Sequence, residues 1–178
     1  MDIHLETDLE ILRLLRQWGA GSKCADACEI EALRRFDVDV LKRAISTIFV
    51  SGNAQIRIHA IDVLPYIVPQ DVMIELLLPR LHDERAVIRW MSCKMFQRYP
   101  DPQAMIPLME VVQEEKNPDT RVVAVNVLGT IGDEPAIPVL ASVVKNDKGK
   151  DFEGQSVAAS ARKAIAEIRR RIRIELNP

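Results

Sequence analysis

With 178 residues, 48% of them apolar and only 4% aromatic, the chain is long enough to bury a core and too apolar to be disordered. Its longest nearly uncharged run, Val72 to Pro79, is interrupted by Glu75 and falls far short of the roughly 18 to 20 apolar residues a membrane span needs. The formal charge of −2 divides unevenly. Residues 145–178 hold nine Lys and Arg against five acids, which leaves residues 1–144 at −6 and argues against a bulk nucleic-acid binder.

Strand signals are absent, and apolar periodicity predicts ten helices in five antiparallel pairs. The first pair, over 5–18 and 24–36, follows the later pattern only loosely, as a terminal cap does. Asp37 opens a helix over 38–51 through Val40, Leu41, Ala44, Ile45 and Ile48. Its partner covers 54–68 and holds Pro65 well inside, where proline kinks a helix unless the helix ends early. Helices over 71–82 and 86–99 follow. The next begins at Asp101 and Pro102 and covers 102–115; its partner spans 119–131 and closes at Gly132. Asp133 and Pro135 open the helix over 135–146, and a polar loop leads to a last helix over 155–175.

The second helices of these pairs repeat. Arg57, Arg89 and Arg121 stand 32 residues apart. Three residues after each comes Ala60, Ser92 or Ala124; seven after, Leu64, Phe96 or Leu128; ten after, Ile67, Tyr99 or Ile131. Offsets of 3, 7 and 10 lie on one helix face. Ala161, Ile165 and Ile168 continue the register 37 residues on, the five extra residues falling between Asn146 and Gln155. The first helices repeat too: Asp101 to Leu108 aligns with Asp133 to Leu140 at the same 32-residue step.

The segment Gly132 to Leu140, preceded by Arg121 to Ile131, resembles a HEAT repeat of the short bacterial type found in phycobilin-lyase-like proteins. The resemblance covers about residues 37 to 172. It implies an all-α fold, a right-handed α-solenoid of about five antiparallel helix pairs. The expected organisation is one solenoid domain over 1–178, with a divergent N-terminal cap pair over 1–36, repeats over 37–155 and a C-terminal capping helix over 156–178. In this family an acid in the turn between helices pairs with an Arg six residues later. Asp83 with Arg89, and Glu115 with Arg121, have that spacing; Ser51 replaces the acid before Arg57, and Ala158 replaces the last Arg.

The resemblance also implies that the second helices line a concave side. The stripe opposite their core face, at offsets 1, 5 and 9, reads Ile58, Asp62 and Tyr66, then Trp90, Lys94 and Arg98, then Val122, Asn126 and Thr130, then Ala159, Lys163 and Glu167. Two of the eight aromatics fall on it beside a Lys and an Arg, the residue types that most often anchor interfaces. Ile58, Asp62, Tyr66, Trp90, Lys94, Arg98, Asn126 and Lys163 are therefore the candidate partner-binding residues, and the partner is another protein or peptide of acidic character. The bland alternative is that Trp90 packs between repeats while Lys94 and Arg98 are solvated charges.

Arg169, Arg170, Arg171 and Arg173 also cluster. They suit the polar outer side of a terminal cap and the dipole at a helix C-terminus. As a basic patch for RNA, DNA or an acidic protein they lack interleaved aromatics.

Catalytic constellations are not legible. Cys24 and Cys28 share a helix face but lack two further zinc ligands, Cys93 has no His near it in sequence, and the seven glycines form no phosphate loop. HEAT-repeat enzymes that bind two irons use His-Glu dipeptides, and the chain has none. No catalytic residue, metal or cofactor is expected. Three cysteines and an acidic rather than basic N-terminus fit reduced thiols and a cytoplasmic location. The expected role is a non-catalytic binding module. A lyase-like enzyme of chromophore attachment and a nucleic-acid-binding solenoid are the alternatives, the latter disfavoured by charge.

Overall fold

A computed structural model describes residues 3–18 and 27–176. Among these residues the fold is all-α, with ten α-helices and an isolated antiparallel bridge between Lys150 and Ser156. The contacts divide the chain into two compact units, Met1–Arg80 and Leu81–Pro178.

The first unit holds α1 (Ile3–Trp18), α2 (Ala27–Leu33), α3 (Val38–Ser51), α4 (Ala54–Ile67) and α5 (Gln70–Leu77). Helix α3 packs on α1 and α5, and α2 packs on α4, so odd- and even-numbered helices form separate layers. Leu41, Ala44, Ile45 and Ile48 of α3 meet Ala60, Val63 and Leu64 of α4 in a core of aliphatic side chains with no exposure. Local signals set the ends of α3. The Asp37 carboxylate accepts the Asp39 amide at 2.9 Å, and Gly52 closes the last turn through its N–H to the Ile48 carbonyl at 2.7 Å. Pro65 does not end α4, which runs on through Ile67. The expected helix over 71–82 divides into α5 and a 3-10 turn, Leu78–His82, which contains Pro79.

The second unit holds α6 (Ala86–Arg98), α7 (Met105–Glu114), α8 (Pro118–Ile131), α9 (Ala136–Asn146) and α10 (Val157–Leu176), with a 3-10 turn at Pro102–Ala104 leading into α7. Helix α8 packs between α6 and α10 in one layer, while α7 and α9 pair in the other. Of the periodic positions, Ser92 and Phe96 of α6, Ala124 and Leu128 of α8, and Ala161 and Ile168 of α10 are buried, while Tyr99, Ile131 and Ile165 are only half-buried and Ile88, Thr120 and Ala164 complete the core. Gly129 permits a close approach of α8 to α10, since a Cβ there would sit 3.1 Å from the Ala164 Cα.

The five extra residues before α10 form an ordered loop. The Asp151 carboxylate accepts the amides of Glu153 and Gln155, and Asp119 of α8 accepts the Phe152 amide at 2.7 Å. Gly154 takes the positive φ of 83° that the turn requires. The Phe152 ring is left 80% exposed at the tip.

Candidate functional site

In the first unit, α4 positions Ile58, Asp62 and Tyr66. Asn53 caps the helix by accepting the Ile56 amide, and Arg57 ties its start to the preceding turn through the carbonyls of Gly52 (2.9 Å) and Val50 (3.2 Å). Ile58 and Asp62 are half-buried, and Tyr66 is 37% exposed. The Tyr66 carbonyl accepts Arg34 Nε at 2.7 Å. Burial pushes the Asp62 carboxyl above its usual range, with the charge of His59 acting against that. His59 is itself buried and bonded to the buried Glu29 carboxylate of α2. Nothing in the sequence marks this pair, whose members lie 30 residues apart with no shared motif.

In the second unit, Trp90, Lys94 and Arg98 lie on α6, Asn126 on α8 and Lys163 on α10. Lys94, Asn126 and Lys163 occupy the same repeat position on three successively packed helices, so they form a row across that layer. Trp90 is half-buried and Lys94 exposed; the ammonium stands 5.8 Å from the ring centroid and bonds to Gln97 Oε1 at 3.1 Å. Arg98 is exposed and lies 5.4 Å from the Tyr99 ring. The stripe is not uniformly outward: on α8 Val122 is buried and Asn126 half-buried.

The ion-pair ladder differs from its expected form. Arg89 does donate toward the turn six residues back, but to the Asp83 main-chain carbonyl at 2.8 Å, with the Glu84 carbonyl at 3.2 Å. Its carboxylate partner is Glu115 of the following turn, held by Nε at 2.5 Å and Nη2 at 3.2 Å. Arg121 repeats the pattern, donating to the Glu115 and Lys116 carbonyls and to both oxygens of Asp147 at 2.7 and 3.0 Å. Each Arg therefore grips its own turn by main chain and the next by side chain, 26 residues on. Within one turn the guanidinium meets carbonyls, while the acid of that turn accepts the amide two residues on, Asp83 that of Arg85 and Glu115 that of Asn117. Burial alone would raise the Glu115 and Asp147 carboxyls, yet the Arg89 and Arg121 bonds and the neighbouring amides hold both below their ordinary values.

Cys93 is fully buried beside this ladder, and burial pushes its thiol up to about 12. It is therefore a protonated packing group at neutral pH. Cys28 is exposed, while Cys24 lies outside the described residues. Brief alkylation of the native protein is expected to label Cys28 and spare Cys93, which reacts only after denaturation. Peptide mapping reads this directly, and prompt native labelling of Cys93 would contradict its burial.

Against known proteins, the family profile described as HEAT repeats matches residues 74–166. No curated protein and no solved structure matches the chain.

Proposed function

Because the chain belongs to the HEAT-repeat family, we propose that it is a non-catalytic protein-binding module, an adaptor, assembly factor or inhibitor-like protein, that grips its partner with the outward stripe of its second helices. The observation that carries this reading is the Trp90, Lys94 and Arg98 cluster. The layers are filled mainly by aliphatic residues, yet α6 presents an indole, an ammonium and a guanidinium side by side. A half-exposed indole with a cation over its face can bury a large area on contact while its neighbours pair with carboxylates. An acidic protein or peptide is the complement.

The test is affinity purification from the native host with wild type and a Trp90→Ala, Arg98→Ala double variant. Partner recovery is expected to fall at least tenfold, the scale of a two-residue hot spot, with the helical spectrum unchanged. Unchanged recovery would sink the reading. The phycobilin-lyase-type resemblance supplies the competing enzyme reading, which needs a reactive group in a pocket. Cys93, buried and protonated, does not serve as that nucleophile, and a thermal shift on incubation with bilins would be the result that favours the enzyme.

A further inference from the structure

We infer that the groove between α9 and α10 is a second docking site, shaped for an acidic amphipathic helix of a partner protein. It has a volume of about 670 Å³, with the half-buried Ile137 and Ile172 at its floor and the exposed Pro138, Leu176, Arg169 and Arg173 around them. Arg169, Ile172, Arg173 and Leu176 follow one another at helical steps of three, one and three, so α10 presents them as a single stripe about 10 Å long.

The four clustered arginines of α10 do not share one task. Arg171 turns inward and caps the end of α8, donating to the Gly129 carbonyl at 2.8 Å and to the Gly132 carbonyl. Arg170 pairs with Glu167 at 3.1 Å. Arg169 and Arg173 have no carboxylate partner among the described residues and are exposed. A structural cap therefore accounts for Arg171 and leaves two uncommitted guanidinium groups beside apolar side chains, of which Leu176 is 75% exposed. Glu134 is the single acid lining the groove.

That combination selects its occupant. The groove is built from two helices and offers no strand edge for an extended chain to pair with, so an occupant must satisfy its own backbone. A helix does so, and a leucine stripe at i, i+3, i+4 and i+7 would fill the floor while flanking glutamates meet the two arginines. A nucleic-acid backbone would leave the floor uncovered. A flat lipid surface would reach the exposed Leu176 but leave the half-buried Ile137 and Ile172 between the helices uncovered.

The test is fluorescence anisotropy with a labelled designed peptide helix bearing a leucine stripe flanked by glutamates, beside a version with lysines for the glutamates and one with the leucines scrambled. The glutamate peptide is expected to bind wild type, more weakly as salt rises, and at least tenfold more weakly to Arg169→Glu, Arg173→Glu and to Leu176→Ser. The lysine peptide should bind the charge-reversed variant better than wild type. An Arg170→Ala variant, which removes a charge of the same helix outside the groove, should bind as wild type does. Absence of binding, equal binding of the scrambled or lysine peptide to wild type, or insensitivity to the reversal would each overturn the proposal. So would co-sedimentation with phosphatidylserine vesicles that the reversal abolishes, if the glutamate peptide does not compete. Circular dichroism controls for folding, and the comparison of the three peptides on wild type decides the matter without any variant.

Discussion

Gly129→Val is expected to cost about 3 kcal/mol of stability and to lower the melting temperature by roughly 6–12 °C for a chain of this size. The Gly129 backbone faces α10 so closely that a bare Cβ would stand 3.1 Å from the Ala164 Cα and 3.2 Å from its Cβ. Those atoms belong to a helix backbone and a methyl fixed on it, so they cannot swing aside. Valine adds two further methyls, and α8 and α10 must part along a packed interface in which Leu128, Ala161 and Ile168 are wholly buried. Gly129→Ala should cost much less, because a shift of a few tenths of an ångström suffices and alanine favours the helix by about 1 kcal/mol over glycine. Thermal and urea denaturation check both. Wild-type stability in the valine variant would mean that the two helices do not meet here.

Glu115→Ala is expected to cost about 2–3 kcal/mol, somewhat less than a fully buried broken ion pair. The Glu115 carboxylate is nearly inaccessible and takes two Arg89 bonds and the Asn117 amide. Alanine leaves that amide without its acceptor and Arg89 with only the carbonyls of Asp83 and Glu84 and partial hydration. The pH dependence has a definite sign. The Glu115 and Asp147 carboxyls are held below their ordinary values in the folded chain, so their contribution is complete above the unfolded pKa and is lost as pH falls through the folded one. The stability gap between wild type and Glu115→Gln should therefore be widest near neutrality and close as pH falls from about 5 toward 2. A gap constant over that range would show that the Glu115 charge contributes nothing.

The parts of this fold that were legible in the sequence are those in which local and periodic signals coincide. Helix α3 spans the expected 38–51 because the Asp37 cap, the aliphatic stripe and the Gly52 stop all mark the same limits. Boundaries shifted where proline tightened the chain into 3-10 turns, at Leu78–His82 and Pro102–Ala104, since apolar spacing does not distinguish one tight turn from another. The ladder's members were visible from a spacing of six, but their pairing was not. Which carboxylate a guanidinium reaches depends on how successive turns stack, and the true separation of 26 residues carries no local mark. Asp147 was missed for a related reason: it stands in a polar stretch whose composition reads only as a loop. The stripe on α4, α6, α8 and α10 followed from helical offsets, apart from Val122, which the core of the second unit buries. In the arginine cluster, sequence proximity concealed three different environments on successive sides of one helix.

The ladder also has a direction. Each arginine clasps the carbonyls behind it and the carboxylate ahead, so every turn leans on the one that follows, and the two ends of such a series are chemically unlike. A cut that removed the segment beyond Asn146 would strand a cation at Arg121, whereas a cut before Glu115 would strand an anion. Asp147 brings the series to rest without either fault, because Ala158 stands where another arginine would have required one more acid. Any lengthening of the series by duplicating a repeat would have to restore that arginine and supply its partner together, or the new junction would begin with an unanswered charge.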